Sequence, residues 1–205
     1  GASKFHHMYG KQISTNPVFR MPMGGGRGYG PTHSQSLEKY FCGIENLLVV
    51  ALTSLFDPKP VLEGVTAQSC PTVIIENKAG YGSFCFDPEE DRIADLIGAP
   101  FPIFRLRPRQ RDPNLLIVSY GEVARRIADA VEAIEQRTSC VIELHCLTQL
   151  NPVDLSPVLE RGALAGRVLI VEEGSPEFGI GSEFMVHFVL DKNFSGTIGR
   201  IGAAP

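Results

Sequence analysis

The residues best suited to chemistry lie between Gly24 and Ser36. There Gly24-Gly25-Gly26-Arg27-Gly28-Tyr29-Gly30-Pro31-Thr32-His33-Ser34-Gln35-Ser36 sets one histidine at the end of a glycine-rich loop. An imidazole both donates and accepts protons near neutral pH, so a histidine on an approachable loop suits proton transfer. Five glycines in the seven residues from Gly24 to Gly30 open backbone conformations closed to other residues and let a ligand approach the main chain. Tyr29 and Arg27 in the same loop favour a binding surface over a plain connector. Neither common phosphate motif is present. Tyr29 or Pro31 falls where a dinucleotide fingerprint needs its third glycine, and Gly25 and Gly30 are followed by Pro31 and Thr32 rather than by lysine and a hydroxyl residue.

The elements that must hold this loop are legible on both sides. Val18-Phe19-Arg20-Met21 behind Pro17 reads as a strand, and Leu37, Tyr40 and Phe41 fall at helical spacing. Thr32 and Gln35 have the threonine-x-x-glutamine spacing of a capping box. That predicts a helix over 34–42 with His33 at its start, in the order strand, loop, histidine, helix. The bland alternative is that His33 fills a polar turn.

Composition narrows the class. With 43% hydrophobic and 20% charged residues, the 205-residue chain has the make-up of a folded protein. Its net charge of -4 gives no electrostatic case for nucleic acid or an anionic membrane as partner. No apolar run approaches the roughly 18 residues of a transmembrane helix, and the N-terminus shows no signal core, which leads us to expect a cytoplasmic protein. Cys42, Cys70, Cys85, Cys140 and Cys146 are widely spaced, form no Cys-x-x-Cys pair and read as isolated thiols, so no metal site is expected.

Apolar runs alternate with amphipathic stretches, the pattern of strands and helices in mainly parallel sheets, so the fold class is α/β with two parallel-sheet units. In the first unit, residues 1–85, strands are expected at 18–21, 47–51 and 72–76, with a helix over 59–68 capped by Asp57-Pro58. Residues 86–113 hold prolines at 88, 100, 102, 108 and 113 and arginines at 105, 107, 109 and 111, and read as a proline-rich linker. In the second unit, 114–205, strands are expected at 115–119, 140–144, 168–172 and 197–201. The helix after Ser119 carries Val123, Ile127, Ala130, Val131 and Ile134 on one face, and others are expected near 155–160 and 180–190.

Several of these segments together resemble the beta subunit of the thiamine diphosphate-dependent decarboxylating component of 2-oxoacid dehydrogenase complexes. The resemblance is carried by Phe19-Arg20-Met21-Pro22-Met23-Gly24-Gly25, by Gly30-Pro31-Thr32-His33-Ser34-Gln35-Ser36-Leu37-Glu38, and by Val73-Ile74-Ile75-Glu76-Asn77. Later come Leu150-Asn151-Pro152-Val153-Asp154, Val171-Glu172-Glu173-Gly174 and Phe178-Gly179-Ile180-Gly181-Ser182-Glu183. It implies a partial thiamine pyrimidine-binding domain followed by a transketolase C-terminal-like domain, with His33 in the place of the family's active-site histidine. It also implies oxidative decarboxylation of a 2-oxoacid with acyl transfer to lipoyl groups.

The implied partners are an alpha subunit supplying the magnesium and diphosphate site, a second beta subunit and a lipoyl-bearing acyltransferase core. The implied location is the cytoplasm, or the mitochondrial matrix if the source is eukaryotic. Against the family pattern the chain is expected to be truncated at its N-terminus, where the glutamate that contacts the cofactor's aminopyrimidine lies, and trimmed at its C-terminus. Gln68 and Cys70 stand where relatives often carry potassium-loop residues, so a potassium site is not expected. The isolated 205-residue chain is expected to be inactive. The alternative is a shortened, non-catalytic relative acting as an assembly or interaction module. Glu172-Glu173-Gly174 is expected to orient a loop or meet a partner, and the Glu143/His145 pair to carry no function.

Overall fold

The computed structural model describes residues 1–26 and 28–203. After α1 (Ala2–Met8), a four-stranded sheet is built from β1 (Val18–Met23), β2 (Leu48–Ala51) and β3 (Thr72–Asn77), with β3 between the other two and all three parallel. Every position of β2 and β3 is buried, as expected for parallel strands covered on both faces. Val18 and Leu48 both pair with Thr72, so the strands start level; β1 and β3 end together at Met23 and Asn77, while β2 ends at Ala51, opposite Ile75. α2 (Lys59–Thr66) joins β2 to β3 and packs Val61 and Val65 against Leu48, Val50 and Ile74. Asp57 Oδ1 accepts from the Lys59 backbone N–H at 2.9 Å, which fixes the helix start.

A second, six-stranded sheet has the order β10-β9-β6-β7-β5-β4. β6 (Leu115–Tyr120), β7 (Ile142–Leu147), β9 (Arg167–Val171) and β10 (Thr197–Ile201) are parallel. α3 (Gly121–Arg137) links β6 to β7, and buries Ala124, Ala128 and Val131 against Ile117, Ile142 and Leu144. α4 (Ser156–Ala165) and α5 (Ile180–Leu190) pack against β6 and β9.

The segment 86–113, read above as a linker, instead contributes β4 (Arg92–Ile97) and β5 (Ile103–Pro108), an antiparallel pair joined to β7. The physical reason lies in where its prolines and arginines fall. Pro100 and Pro102 occupy the connection, and Pro108 lies beyond the Phe104–Leu106 stretch that pairs with β7, so no proline removes a ladder hydrogen bond there. Arg105 makes two hydrogen bonds to Asp95, at 2.8 and 2.7 Å, and Arg107 lies 3.8 Å from the same carboxylate. The alternating charges are thus a paired stripe across a hairpin.

The two sheets are interlocked. β8 (Gln149–Asn151) leaves the end of β7 and pairs antiparallel with β2 in the first sheet. One continuous core joins Val49, Ala51 and Ile75 of the first sheet to Val118 and Ile170 of the second and to Phe184 of α5.

Candidate functional site

β1 delivers the chain to Met23 at the carboxyl edge of the first sheet, and there the glycine loop begins. The Gly24 N–H donates to Gln35 O at 2.9 Å, closing the loop at its neck in the manner of an Ω-loop. Gly24 has φ +105°, and a Cβ there would stand 2.4 Å from the Asn77 amide nitrogen, so the turn admits only glycine.

Glu173, two residues past β9, holds the neck from the other sheet. Its Oε1 accepts from the Gly25 N–H at 3.0 Å, and its Oε2 accepts from Ser36 Oγ at 2.9 Å and from Asn77 Nδ2 at 2.8 Å. Of the two roles expected for these acids, the geometry gives Glu173 that of orienting the loop. Lys78 Nζ donates to His33 O at 3.0 Å and lies 5.8 Å from the centre of the Tyr29 ring. Arg27 lies outside the described residues.

His33 is exposed, and its imidazole makes no hydrogen bond to another described residue. The helix expected over 34–42 does not form. Residues 31–33 are a turn, with the His33 N–H donating to Gly30 O at 3.3 Å, and only Glu38–Tyr40 winds into a short 3₁₀ turn. Two commitments displace the helix. Gln35 O, which an α-helix would offer to the Lys39 N–H, accepts from Gly24, and Ser36 Oγ is drawn to Glu173.

Behind the neck lies a cluster of buried acids. Glu38 accepts from the Tyr120 hydroxyl at 2.6 Å. Burial raises the Glu38 pKa, although the Tyr120 hydrogen bond opposes the shift. Burial likewise pushes the Tyr120 phenol well up, helped by the neighbouring Glu38 charge, and pushes the Cys42 thiol up to about 12. Glu122 accepts from the Ser54 N–H and from Ser54 Oγ. Glu172 accepts from the Gly181 N–H at 3.3 Å at the start of α5, and burial raises its pKa too. Between Ser36, Glu38, Tyr120, Glu122 and Glu173 remains a cavity of about 20 Å³, room for a single water.

Beside this cluster, at the carboxyl ends of β1 to β3, opens a cleft of about 320 Å³ lined by Leu52, Phe56, Leu62, Arg20, Tyr81 and Glu122. Its polar rim is closed on itself: Arg20 is bidentate to Glu76, whose Oε2 also accepts from the Tyr81 hydroxyl at 2.6 Å. Burial works against ionisation of Glu76, but the hydrogen bonds from Arg20 and Tyr81 outweigh it and hold the pKa below the usual range. Glu143 and His145, by contrast, are fully buried in the second sheet with Arg161 and belong to the fold. The arrangement as a whole presents one uncommitted imidazole at the surface, on a loop whose base is rigid. The sequence signal for the loop was its glycines. Glu38 and Tyr120 carried none, because their meeting depends on the packing of the two sheets.

Residues 105–204 match the family model "Transketolase, C-terminal domain". Along most of its length the chain is similar to the pyruvate dehydrogenase E1 component subunit beta, mitochondrial, of Saccharomyces cerevisiae, at 24% identity over 193 residues, covering 94% of this chain and 52% of the relative. The pyruvate dehydrogenase E1 component subunit beta of Rhizobium meliloti is 29% identical over 182 residues, covering 89% of this chain and 38% of the relative. The acetoin:2,6-dichlorophenolindophenol oxidoreductase subunit beta of Cupriavidus necator is 29% identical, covering 89% of this chain and 52% of the relative. The chain thus spans about half the length, or less, of these curated relatives. Among solved structures, "Split gene transketolase, inactive beta4 tetramer" superposes with a TM-score of 0.66 at 17% identity, covering 94% of this chain and 59% of that one. This establishes a transketolase-like α/β fold.

Proposed function

We propose that this chain, homologous over about nine tenths of its length to E1 beta subunits, serves as the beta-subunit portion of a 2-oxoacid dehydrogenase decarboxylating component. In that role it contributes to oxidative decarboxylation of a 2-oxoacid with acyl transfer to lipoyl groups. It would work in an alpha-beta heterotetramer that meets a lipoyl-bearing acyltransferase core, in the cytoplasm or, as the names of the eukaryotic relatives have it, the mitochondrion. Residues 1–85 would supply the partial pyrimidine-binding unit, and 114–205 together with β4 and β5 the C-terminal unit. The observation that carries the reading is the exposed His33 on a loop pinned at its base, in a chain whose similarity to those subunits runs through both sheets.

Thiamine diphosphate does not fit the described residues of this chain alone. The space behind the neck is only about 20 Å³, and the cleft of about 320 Å³ beside it has Arg20, the one cation among its described lining residues, already bidentate to Glu76, so neither offers an unpaired positive charge for a diphosphate. A site shared with an alpha subunit, which would supply the diphosphate and magnesium contacts, removes that conflict. This chain's own contribution is then His33, held at the interface and free to donate or accept a proton.

The test is reconstitution with an alpha subunit, following 2-oxoacid-dependent turnover with pyruvate and with a branched-chain oxoacid. Turnover is expected only in the mixture, and His33→Ala should lower it by about 10²-fold or more with the fold intact. Full turnover by H33A would remove His33 from the mechanism. Submicromolar binding of thiamine diphosphate by the chain alone would overturn the shared-site reading.

A further inference from the structure

We infer that Glu173 is a positioning residue for His33: a carboxylate of the second sheet that clasps both feet of the histidine loop and sets where the imidazole stands. Three donors converge on it, the Gly25 N–H from the start of the loop, Ser36 Oγ from its end and Asn77 Nδ2 from the tip of β3. Each of these groups donates and none carries a formal charge, so the site calls for an acceptor at both oxygens, which an ionised carboxylate supplies. Among the described residues the neck is otherwise closed by the Gly24–Gln35 backbone hydrogen bond, with the Leu37 N–H donating to Met23 Sδ at 3.3 Å just outside it. The turn after β9 runs directly beside the far end of the loop: the nearest atoms to a Cβ built on Gly174 would be Glu38 Oε1 at 3.5 Å and Ser36 O at 3.6 Å, ordinary contact distances. The clasp joins residues 137 and 148 positions apart in the chain and never touches His33. Displacement of the 172–174 turn, by a partner or by α5 behind it, would therefore move the loop without contact with the imidazole. The clasp itself rests on the geometry, while its effect on turnover rests on the function proposed above.

The hydrogen-bond polarity supplies a specific test. In Glu173→Gln one oxygen can still serve Gly25, but the new amide hydrogens face those of Asn77. In Asn77→Asp two carboxylates face each other. The double variant restores a donor opposite an acceptor, with Ser36 free to reverse its hydroxyl and residue 77 still able to accept from the Ala79 N–H, as Asn77 does at 2.9 Å. Hydrogen–deuterium exchange of the full chain should show amides of the 24–36 segment exchanging about tenfold faster in E173Q and in N77D, and returning to within about threefold of the parent in E173Q/N77D. Amides of β6 and β9 should stay protected in E173Q and in the double variant, which separates loop release from unfolding; these two carry the test if N77D alone fails to fold. Unchanged exchange in E173Q, or a double variant no closer to the parent than E173Q, overturns the clasp.

In the reconstituted enzyme E173Q should lower kcat while leaving KM for the oxoacid nearly unchanged, and E173Q/N77D should recover it. Rescue of exchange with turnover unaffected in E173Q would leave the clasp standing and overturn the placement of His33 in the reaction.

Discussion

Tyr120 and Glu38, 82 positions apart in the chain, share a buried hydrogen bond of 2.6 Å that ties the segment after the histidine loop to the end of β6. Tyr120→Phe would keep the ring packing and strip Glu38 of its donor. Leaving a buried carboxyl short of its partner should cost about 1–3 kcal/mol, read from urea unfolding at neutral pH.

The same acid makes stability depend on pH in a defined direction. Its folded pKa is raised by burial, so the folded chain holds the proton more tightly than the unfolded one, and stability falls as pH climbs from the ordinary glutamate range through the folded value. Glu38→Gln carries no charge and can still accept from Tyr120, so it should flatten this fall. Unfolding curves at a series of pH values that kept the same slope in E38Q would contradict the assignment.

Glu143 acts in the opposite sense. Burial opposes its ionisation, but the hydrogen bonds from His145 at 2.7 Å and from Arg161 prevail and hold it at about 2. Its contribution is present above the ordinary glutamate range and is lost as pH falls toward 2. Glu143→Gln should destabilise the fold by about 3 kcal/mol at neutral pH, with the deficit shrinking on acidification. A deficit that persisted in acid would point to packing rather than charge.

Gly162 lies inside α4 with no room above it. A Cβ there would fall 2.4 Å from the Phe188 ring and 3.1 Å from Val168 Cγ2, and Phe188 is fully buried. Alanine normally favours a helix by about 1 kcal/mol over glycine, yet Gly162→Ala should lower stability by about 1–3 kcal/mol through overpacking. Thermal unfolding decides the sign.

Cysteine accessibility offers a check without mutation. Cys85 is exposed, whereas Cys146 is fully buried and burial pushes its thiol far up. Maleimide labelling followed by mass spectrometry should modify Cys85 first and reach Cys146 only on unfolding.

Much of the framework was legible in the sequence because parallel strands buried on both faces are continuous apolar runs: β2, β3, β6 and β9 are found within a residue or two of their expected spans. α5 and β10 coincide with theirs. β7 starts two residues later than the expected span 140–144 and runs on to Leu147, because Glu143 and His145 can be buried in it once Arg161 on another element pairs with Glu143. β4, β5 and β8 were missed. The first two lie among prolines, with two arginines and Pro108 inside β5, and their character depends on pairings such as Arg105 with Asp95. The third is only three residues long and has meaning only beside β2. The histidine loop was visible through its glycines, but its anchor comes from a residue 137 positions beyond Ser36, which no local pattern encodes.

β8 also sets a clock on biosynthesis. Val50 pairs with Gln149, so the edge of the first sheet waits for roughly 100 further residues, about 5–20 s of translation at ordinary elongation rates. During that interval the nascent chain carries an open β2 edge on the ribosome, in the window where chaperones act. Substitutions that weaken β8 would therefore show first as lower soluble yield, before any change in the mature protein could be measured.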